Sequence, residues 1–163
     1  MPDPLWRRTA VELAGLIRDR EVSSREVVEA HLDRIVEVNG QVNAVTLVLE
    51  DTALAAAGAA ARGEYQGPFH RVTVTIKENI DSLGSPTTKG VPALADAMPP
   101  SDAPVVERMK RAGAIPLART NLPELGGRLD TDNPLRGRTF NPWNPALTPG
   151  GSSGGEAAAL ATG

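Results

Sequence analysis

A glycine- and serine-rich segment holds the hydroxyl groups that are the first candidates for chemistry. It reads Gly-Gly-Ser-Ser-Gly-Gly over residues 150–155, and Glu156 and an alanine-rich run follow it. Glycines permit backbone conformations that other residues avoid, and they leave amide N–H groups free to face an anion at a helix start. A serine hydroxyl becomes a useful nucleophile when a neighbouring base activates it. Three interpretations compete: a phosphate loop, a nucleophile elbow and a flexible linker.

The pattern around the two serines weighs against the first two interpretations. A Walker phosphate loop needs Gly-Lys followed by Ser or Thr, and no lysine follows these glycines. Residues 151–155 match the G-x-S-x-G pattern of an elbow, with Ser153 as the nucleophile. An elbow must follow a hydrophobic strand, whereas the proline-rich residues 144–149 precede this loop. Taken alone, the loop favours a glycine-serine linker.

Lys77 is the candidate base. It ends a segment over residues 72–77 in which valine and isoleucine alternate with Thr73, Thr75 and Lys77, which predicts a strand. Functional groups of open α/β sheets usually lie at such carboxyl ends. A lysine there is most often a solvated edge charge. Among buried polar groups, however, a lysine can lose its proton near neutral pH and act as a base.

The elements that position these groups follow the pattern of an α/β fold. Capping boxes predict two helices, one beginning after Thr9 and one after Ser23, the second ending at Asn39-Gly40. Further predicted elements are a strand over 45–49, an alanine-rich helix capped by Asp51 and running to about Arg62, a helix capped by Asp102 and ended by Gly113, and a strand over 115–118. Loops are predicted over 79–100 and 122–149, with Asn-Pro pairs fixing turns in the second loop. A helix of barely one turn follows residue 155.

Composition and charge exclude several classes of function. The 163 residues carry a formal net charge of −3, so there is no basic field for a nucleic-acid backbone. No cysteine is present, which excludes disulfides and thiolate metal sites. His31 and His70 lack a second ligand at metal-binding spacing. The sequence shows neither a signal peptide nor a run long enough to span a membrane, so we expect a cytoplasmic location.

Several ordered motifs resemble the amidase signature family, roughly from residue 24 to residue 163. They lie at residues 75–81, 86–88, 102–106, 113–114, 120–124, 133–137, 141–143 and 149–159. The resemblance implies a layered α/β/α fold with a mixed sheet, truncated on the C-terminal side. It also implies that residues 1–163 are the N-terminal portion of a single domain, with a helical hairpin over about 9–40 and an α/β part over about 45–163.

The resemblance also implies roles for individual residues. The family hydrolyses or transfers carboxamides with a Ser–cis-Ser–Lys triad, in which Lys77 matches the base and Ser152 the bridging serine. Gly151 precedes that serine and accommodates the cis peptide, and Ser153 is expected to steady the loop by hydrogen bonding. Gly126 and Gly151 match positions that line the substrate cleft. The segment 71–73 departs from the Gly-Val-Pro that relatives often carry.

Residues 1–163 lack the later block that supplies the nucleophilic serine in the family. We therefore expect an amidase that acts on non-peptide linear amides, here incomplete and inactive alone. One alternative is the amidase subunit of a tRNA-dependent amidotransferase, and another is a non-catalytic fragment. No cofactor or metal is implied, and the expected partner is a small-molecule amide, with neither nucleic acid nor membrane. Exposed sheet edges allow a homo-oligomer.

Overall fold

The fold is described from a computed structural model over residues 3–60, 67–69 and 71–163. These ranges contain helices, strands and three short 3-10 turns. The helices are α1 (Ala10–Arg18), α2 (Ser24–Val42), α3 (Glu50–Ala60), α4 (Pro104–Arg111) and α5 (Gly154–Thr162). The strands are β1 (Val45–Val48), β2 (Thr73–Lys77) and β3 (Ile115–Thr120), and the 3-10 turns are Leu5–Arg7, Pro92–Leu94 and Glu124–Gly126. The predicted α/β class is confirmed.

The three strands form a mixed sheet in the order β1-β3-β2 within the described residues. β1 is antiparallel to β3, whereas β2 is parallel to β3 and connects to it through α4. Register shifts interrupt both pairings, and in the second pairing Lys77 lies opposite Thr120. The central position of β3 explains why it is buried over nearly its whole length. Its last residues therefore lie beside the end of β2.

The predicted capping boxes of α1 and α2 are confirmed. In each box, the cap hydroxyl accepts from the amide of the third helical residue, and the side chain of that glutamate accepts from the cap amide. The predicted end of α2 at Asn39-Gly40 is wrong. The Asn39 Oδ1 atom accepts from the amides of Ala44 and Val45, and the helix continues until Asn43 adopts a left-handed conformation. Asn39 therefore lies inside the helix, and its side chain bonds the backbone that follows the helix.

Two predicted aspartate caps are wrong. α3 begins at Glu50, so Asp51 lies within its first turn, and the expected end near Arg62 lies outside the described residues. α4 has Ala103 at its cap position without a side-chain bond. Asp102 instead accepts from the Leu83 amide and pairs with Lys110, both at 2.8 Å. The predicted stop at Gly113 is confirmed, with the glycine at a positive φ.

Small aliphatic side chains make up the buried clusters. One cluster joins α2, α3 and β3, a second joins α1 and α2 to the residue before β2, and a third joins the end of α2 to α5. α5 runs for nine residues, so the prediction of barely one turn is wrong. In the described part of the chain, no helix has the length and apolar character that a membrane span requires.

Candidate active site

The end of β2 meets the glycine-serine loop. Lys77 Nζ donates to Ser152 Oγ at 2.7 Å and to Ser153 Oγ at 3.0 Å. The peptide bond between Gly151 and Ser152 is cis, as the resemblance implies. Ser152 is half-buried and Ser153 is exposed. The structure thus brings the candidate base and both serines within hydrogen-bond distance.

The two predicted cleft glycines lie against this group. A Cβ atom added to Gly126 would be 3.9 Å from the Ser152 Oγ atom, so this glycine borders the serine directly. A Cβ atom at Gly151 would come within 2.5 Å of the carbonyl oxygen of Arg128 and 2.7 Å of the carbonyl carbon of Leu129. Glycine is therefore required at position 151 by close backbone approach, and the five predicted site residues are neighbours in space.

The amides at the start of α5 are engaged by the protein. The Gly154 N–H donates to Thr131 Oγ1 at 3.1 Å, and the Gly155 N–H donates to the Asn121 carbonyl at 3.2 Å. Because these donors already have partners, the geometry disfavours a phosphate cradle. Irregular backbone precedes Ser153 from residue 127 onward, so the strand that an elbow requires is missing from this described stretch. Gly154 and Gly155 are buried and hydrogen-bonded, which does not fit a flexible linker.

A carboxylate that the sequence interpretation missed lies beside the lysine. Glu156 Oε2 accepts from Thr75 Oγ1 at 2.5 Å, and Oε1 accepts from Thr120 Oγ1 at 2.7 Å. One signal was available, since Glu156 is the only charged residue between Arg138 and the last residue of the sequence. The alternation of β2 also predicted that Thr75 and Lys77 share a face.

The surroundings of Lys77 shift its protonation equilibrium toward the neutral form. A cavity of about 220 Å³ borders Lys77, Ser153 and Glu156, and its remaining walls are mostly apolar side chains, among them Ile80 and Met109. Burial lowers the pKa of the Lys77 ammonium from its ordinary value, and the charge of Glu156 partly opposes that shift. A larger cavity of about 840 Å³ lies between α2, α5 and the start of β2, away from this lysine.

Two separate sets of polar contacts support the end of β2. Glu78 is fully buried, and its Oε1 atom accepts from Arg136 at 2.7 Å and 3.2 Å. Arg119 is also fully buried and donates to the Ile80 carbonyl at 2.8 Å and the Lys77 carbonyl at 3.4 Å. Arg119 therefore holds the backbone at the end of β2 by hydrogen bonds to its carbonyl groups. Arg136 of the 122–149 loop holds the side chain of Glu78, the residue after Lys77.

Most of the chain matches a known protein family. The model of the family described as Amidase matches residues 26–163. This chain belongs to the amidase family. Among curated relatives, the indoleacetamide hydrolase of Bradyrhizobium diazoefficiens is 51% identical over 98% of this chain and 31% of the relative. One subunit of the glutamyl-tRNA(Gln) amidotransferase of Acidothermus cellulolyticus is 47% identical over 96% of this chain and 32% of the relative.

Solved amidase structures share the fold. The substrate complex of 6-aminohexanoate cyclic dimer hydrolase matches with a TM-score of 0.89 and 34% identity, over 98% of this chain and 33% of that one. A fatty acid amide hydrolase matches with a TM-score of 0.88 and 30% identity, over 94% of this chain and 28% of that one. The chain thus spans about a third of the length of the amidases that it matches.

Proposed function

We propose that this chain supplies the base and the bridging serine of an amidase site that cleaves the C–N bond of small, linear, non-peptide carboxamides. The observation that carries the proposal is the 2.7 Å distance between Lys77 Nζ and Ser152 Oγ. Lys77 acts as the base, Ser152 relays the proton, and Ser153 holds the lysine in place. Gly126 and Gly151 keep the cleft open beside them.

The proton path follows from these positions. In its neutral form, the Lys77 amine takes the hydroxyl proton of Ser152, and the Ser152 oxygen takes a proton from a nucleophilic serine. The nucleophile attacks the amide carbon, the C–N bond breaks, and the amine leaves with the proton that the relay returns. Water then attacks the acyl ester by the same path and releases the carboxylic acid. We assign the nucleophile to the later family block, which residues 1–163 lack.

A chimera tests these roles. Residues 1–163 would be fused to the C-terminal two thirds of the indoleacetamide hydrolase relative, and hydrolysis of a primary carboxamide would be followed by ammonia release. We expect residues 1–163 alone to be inactive and the chimera to be active. Lys77→Ala and Ser152→Ala should each lower kcat by about 10²- to 10⁴-fold, the usual contribution of a positioned acid or base.

Two control variants sharpen the experiment. Lys89→Ala removes an exposed lysine and should leave kcat unchanged, and Ser153→Ala should cost less than Ser152→Ala. Full activity of the Lys77→Ala chimera would defeat the proposed base. Amide hydrolysis by residues 1–163 alone, abolished by Lys77→Ala, would instead show that this chain needs no later block.

A second candidate is the amidase subunit of a tRNA-dependent amidotransferase. Its support is the 47% identity to the Acidothermus cellulolyticus protein. Stable co-purification of the native protein with another subunit, together with ammonia transfer to glutamyl-tRNA, would favour it. The departure of residues 71–73 from Gly-Val-Pro weighs against it. A third candidate, a non-catalytic fragment, predicts that the chimera is inactive although it folds.

A further inference from the structure

Glu156 occupies a fixed position relative to Lys77. Its two carboxylate oxygens accept one hydroxyl each, from Thr75 on β2 and from Thr120 on β3. Thr75 lies two residues before Lys77 on the same strand, and Thr120 is the residue paired with Lys77 across the sheet. The carboxylate is therefore held by the nearest neighbours of the lysine, both along the strand and across it.

The carboxylate bonds the two threonines and forms no direct ion pair with the lysine among the described contacts. No ion pair within 4 Å joins Glu156 to Lys77 among the described contacts, and the Lys77 amine is directed to Ser152 and Ser153 instead. Glu156 borders the same cavity as Lys77, and its negative charge acts on the amine without replacing the contact with Ser152.

We propose that Glu156 is a positioning residue whose carboxylate, anchored by Thr75 and Thr120, stabilises the ammonium form of Lys77. The inference rests on the proposed function, in which Lys77 gains a proton from Ser152. When that proton arrives, a positive charge develops in a partly buried place, and a fixed carboxylate lowers the energy of that state. The carboxylate of a Ser-His-Asp triad stabilises its imidazolium by the same principle.

The other charged groups around Lys77 do not serve this purpose. Glu78 follows the lysine but pairs with Arg136. Arg119 reaches the Lys77 carbonyl from β3, and its positive charge would oppose a second positive charge nearby. α4 and the loop after β2 contribute apolar walls to the adjacent cavity, and burial there lowers the pKa of Lys77. Glu156 is the group that acts in the opposite direction.

The test is a direct titration of the lysines in the full chain. The sequence contains three lysines, Lys77, Lys89 and Lys110, so protein labelled with ¹³C-lysine gives few Cε resonances to follow against pH. In Glu156→Gln, we expect the Lys77 titration to move to lower pH. Glu29→Gln removes a carboxylate from an exposed pair with Arg25 and should leave the Lys77 titration in place. The other two lysines report any general change.

A charge effect must be separated from a packing effect. Glu156→Asp keeps the charge on a shorter side chain, so its Lys77 titration should lie nearer to the wild type than that of Glu156→Gln. If Glu156→Gln does not fold, Glu156→Ala is the neutral variant to titrate, since alanine has the highest helix propensity. An unchanged Lys77 titration in the neutral variant, or equal shifts with aspartate and glutamine, would overturn the inference.

The outcome is independent of the proposed function. The titration requires no amide hydrolysis, so an unchanged value defeats the role of Glu156 and leaves Lys77 as a base. Conversely, a chimera that is active without Lys77 defeats the proposed function whatever the titration gives.

Discussion

Lys77 and Ser152 are 75 positions apart in the chain, yet the Lys77 Nζ atom lies 2.7 Å from the Ser152 Oγ atom. This contact joins the end of a strand to the loop that begins α5. It depends on how closely α5 approaches the sheet, because Ser152 lies just before that helix and Lys77 at the end of β2. Substitutions that displace α5 should therefore affect both stability and the site.

Gly155→Ala should be strongly destabilising. A Cβ atom at this position would overlap the backbone nitrogen and oxygen of Asn121, which cannot move as a side-chain tip can. We expect a loss of about 1–3 kcal/mol or more in the free energy of unfolding, measured by urea denaturation. Gly58→Ala is the matched control, because nothing lies within 4 Å of its added Cβ atom in α3. That change should stabilise by about 0.5–1 kcal/mol, and similar effects at both positions would contradict the packing argument.

Arg136→Ala should be destabilising because it leaves Glu78 buried without its cationic partner. Removing one member of a buried pair typically costs about 3–5 kcal/mol. Arg111→Ala breaks an exposed pair with Glu107 and should cost less than about 1 kcal/mol. Both variants can be compared by urea denaturation at neutral pH. Equal losses would mean that Glu78 is better solvated than its full burial indicates.

Local signals in the sequence predicted local structure well. The capping boxes needed only residues three apart, and the alternation over 72–77 placed β2 and the shared face of Thr75 and Lys77. The predictions that Asn-Pro pairs fix turns are also confirmed, since the side chains of Asn133, Asn141 and Asn144 accept from amides two or three residues later. In each case the determining contact lies within a few residues.

Sequence patterns did not predict the role of a side chain whose partner is distant in the chain. Asp102 has the residue type of a helix cap, but Lys110 and the Leu83 amide hold its carboxylate instead. Glu156 finds its threonines 81 and 36 positions away, so no periodicity or spacing could reveal the contact. The pattern alone left Lys77 as either a solvated edge charge or a base, and the assignment as the base came from resemblance to a family. The roles proposed for the site residues stay predictions.

His31 should make stability fall in mild acid. Its Nδ1 atom lies 2.7 Å from the Val27 carbonyl, to which it donates, and burial lowers the pKa of His31 from its ordinary value. Because the unfolded chain then binds a proton at higher pH than the native protein, the free energy of unfolding falls as pH drops below about 6.5. The loss continues until the pH passes the lowered native value.

The measurement compares the wild type with His31→Gln by urea denaturation at several pH values from about 7.5 downward. His70 is present in both proteins, so its contribution cancels in the difference. We expect the wild type to lose more stability than the variant over this range. Parallel curves would show that His31 takes up its proton equally in both states.

The titration of Lys77 should make the free energy of unfolding rise with pH in the alkaline range. Burial lowers the pKa of its ammonium group from the ordinary value of a lysine. Between that lowered value and about 10.4, where an unfolded lysine titrates, the unfolded chain binds more protons than the native protein. The free energy of unfolding contributed by Lys77 therefore rises with pH through this window. The difference between wild type and Lys77→Met, followed by urea denaturation, should grow in favour of the wild type as pH rises.

The control for this profile is Lys89→Met, which removes the same charge from an exposed side chain and so accounts for the change in net charge. Only the slope specific to Lys77 supports a base that loses its proton readily in the native state. If the difference between wild type and Lys77→Met stayed flat, burial would not disfavour the ammonium form. The amine would then require another means of deprotonation before it could accept a proton from Ser152.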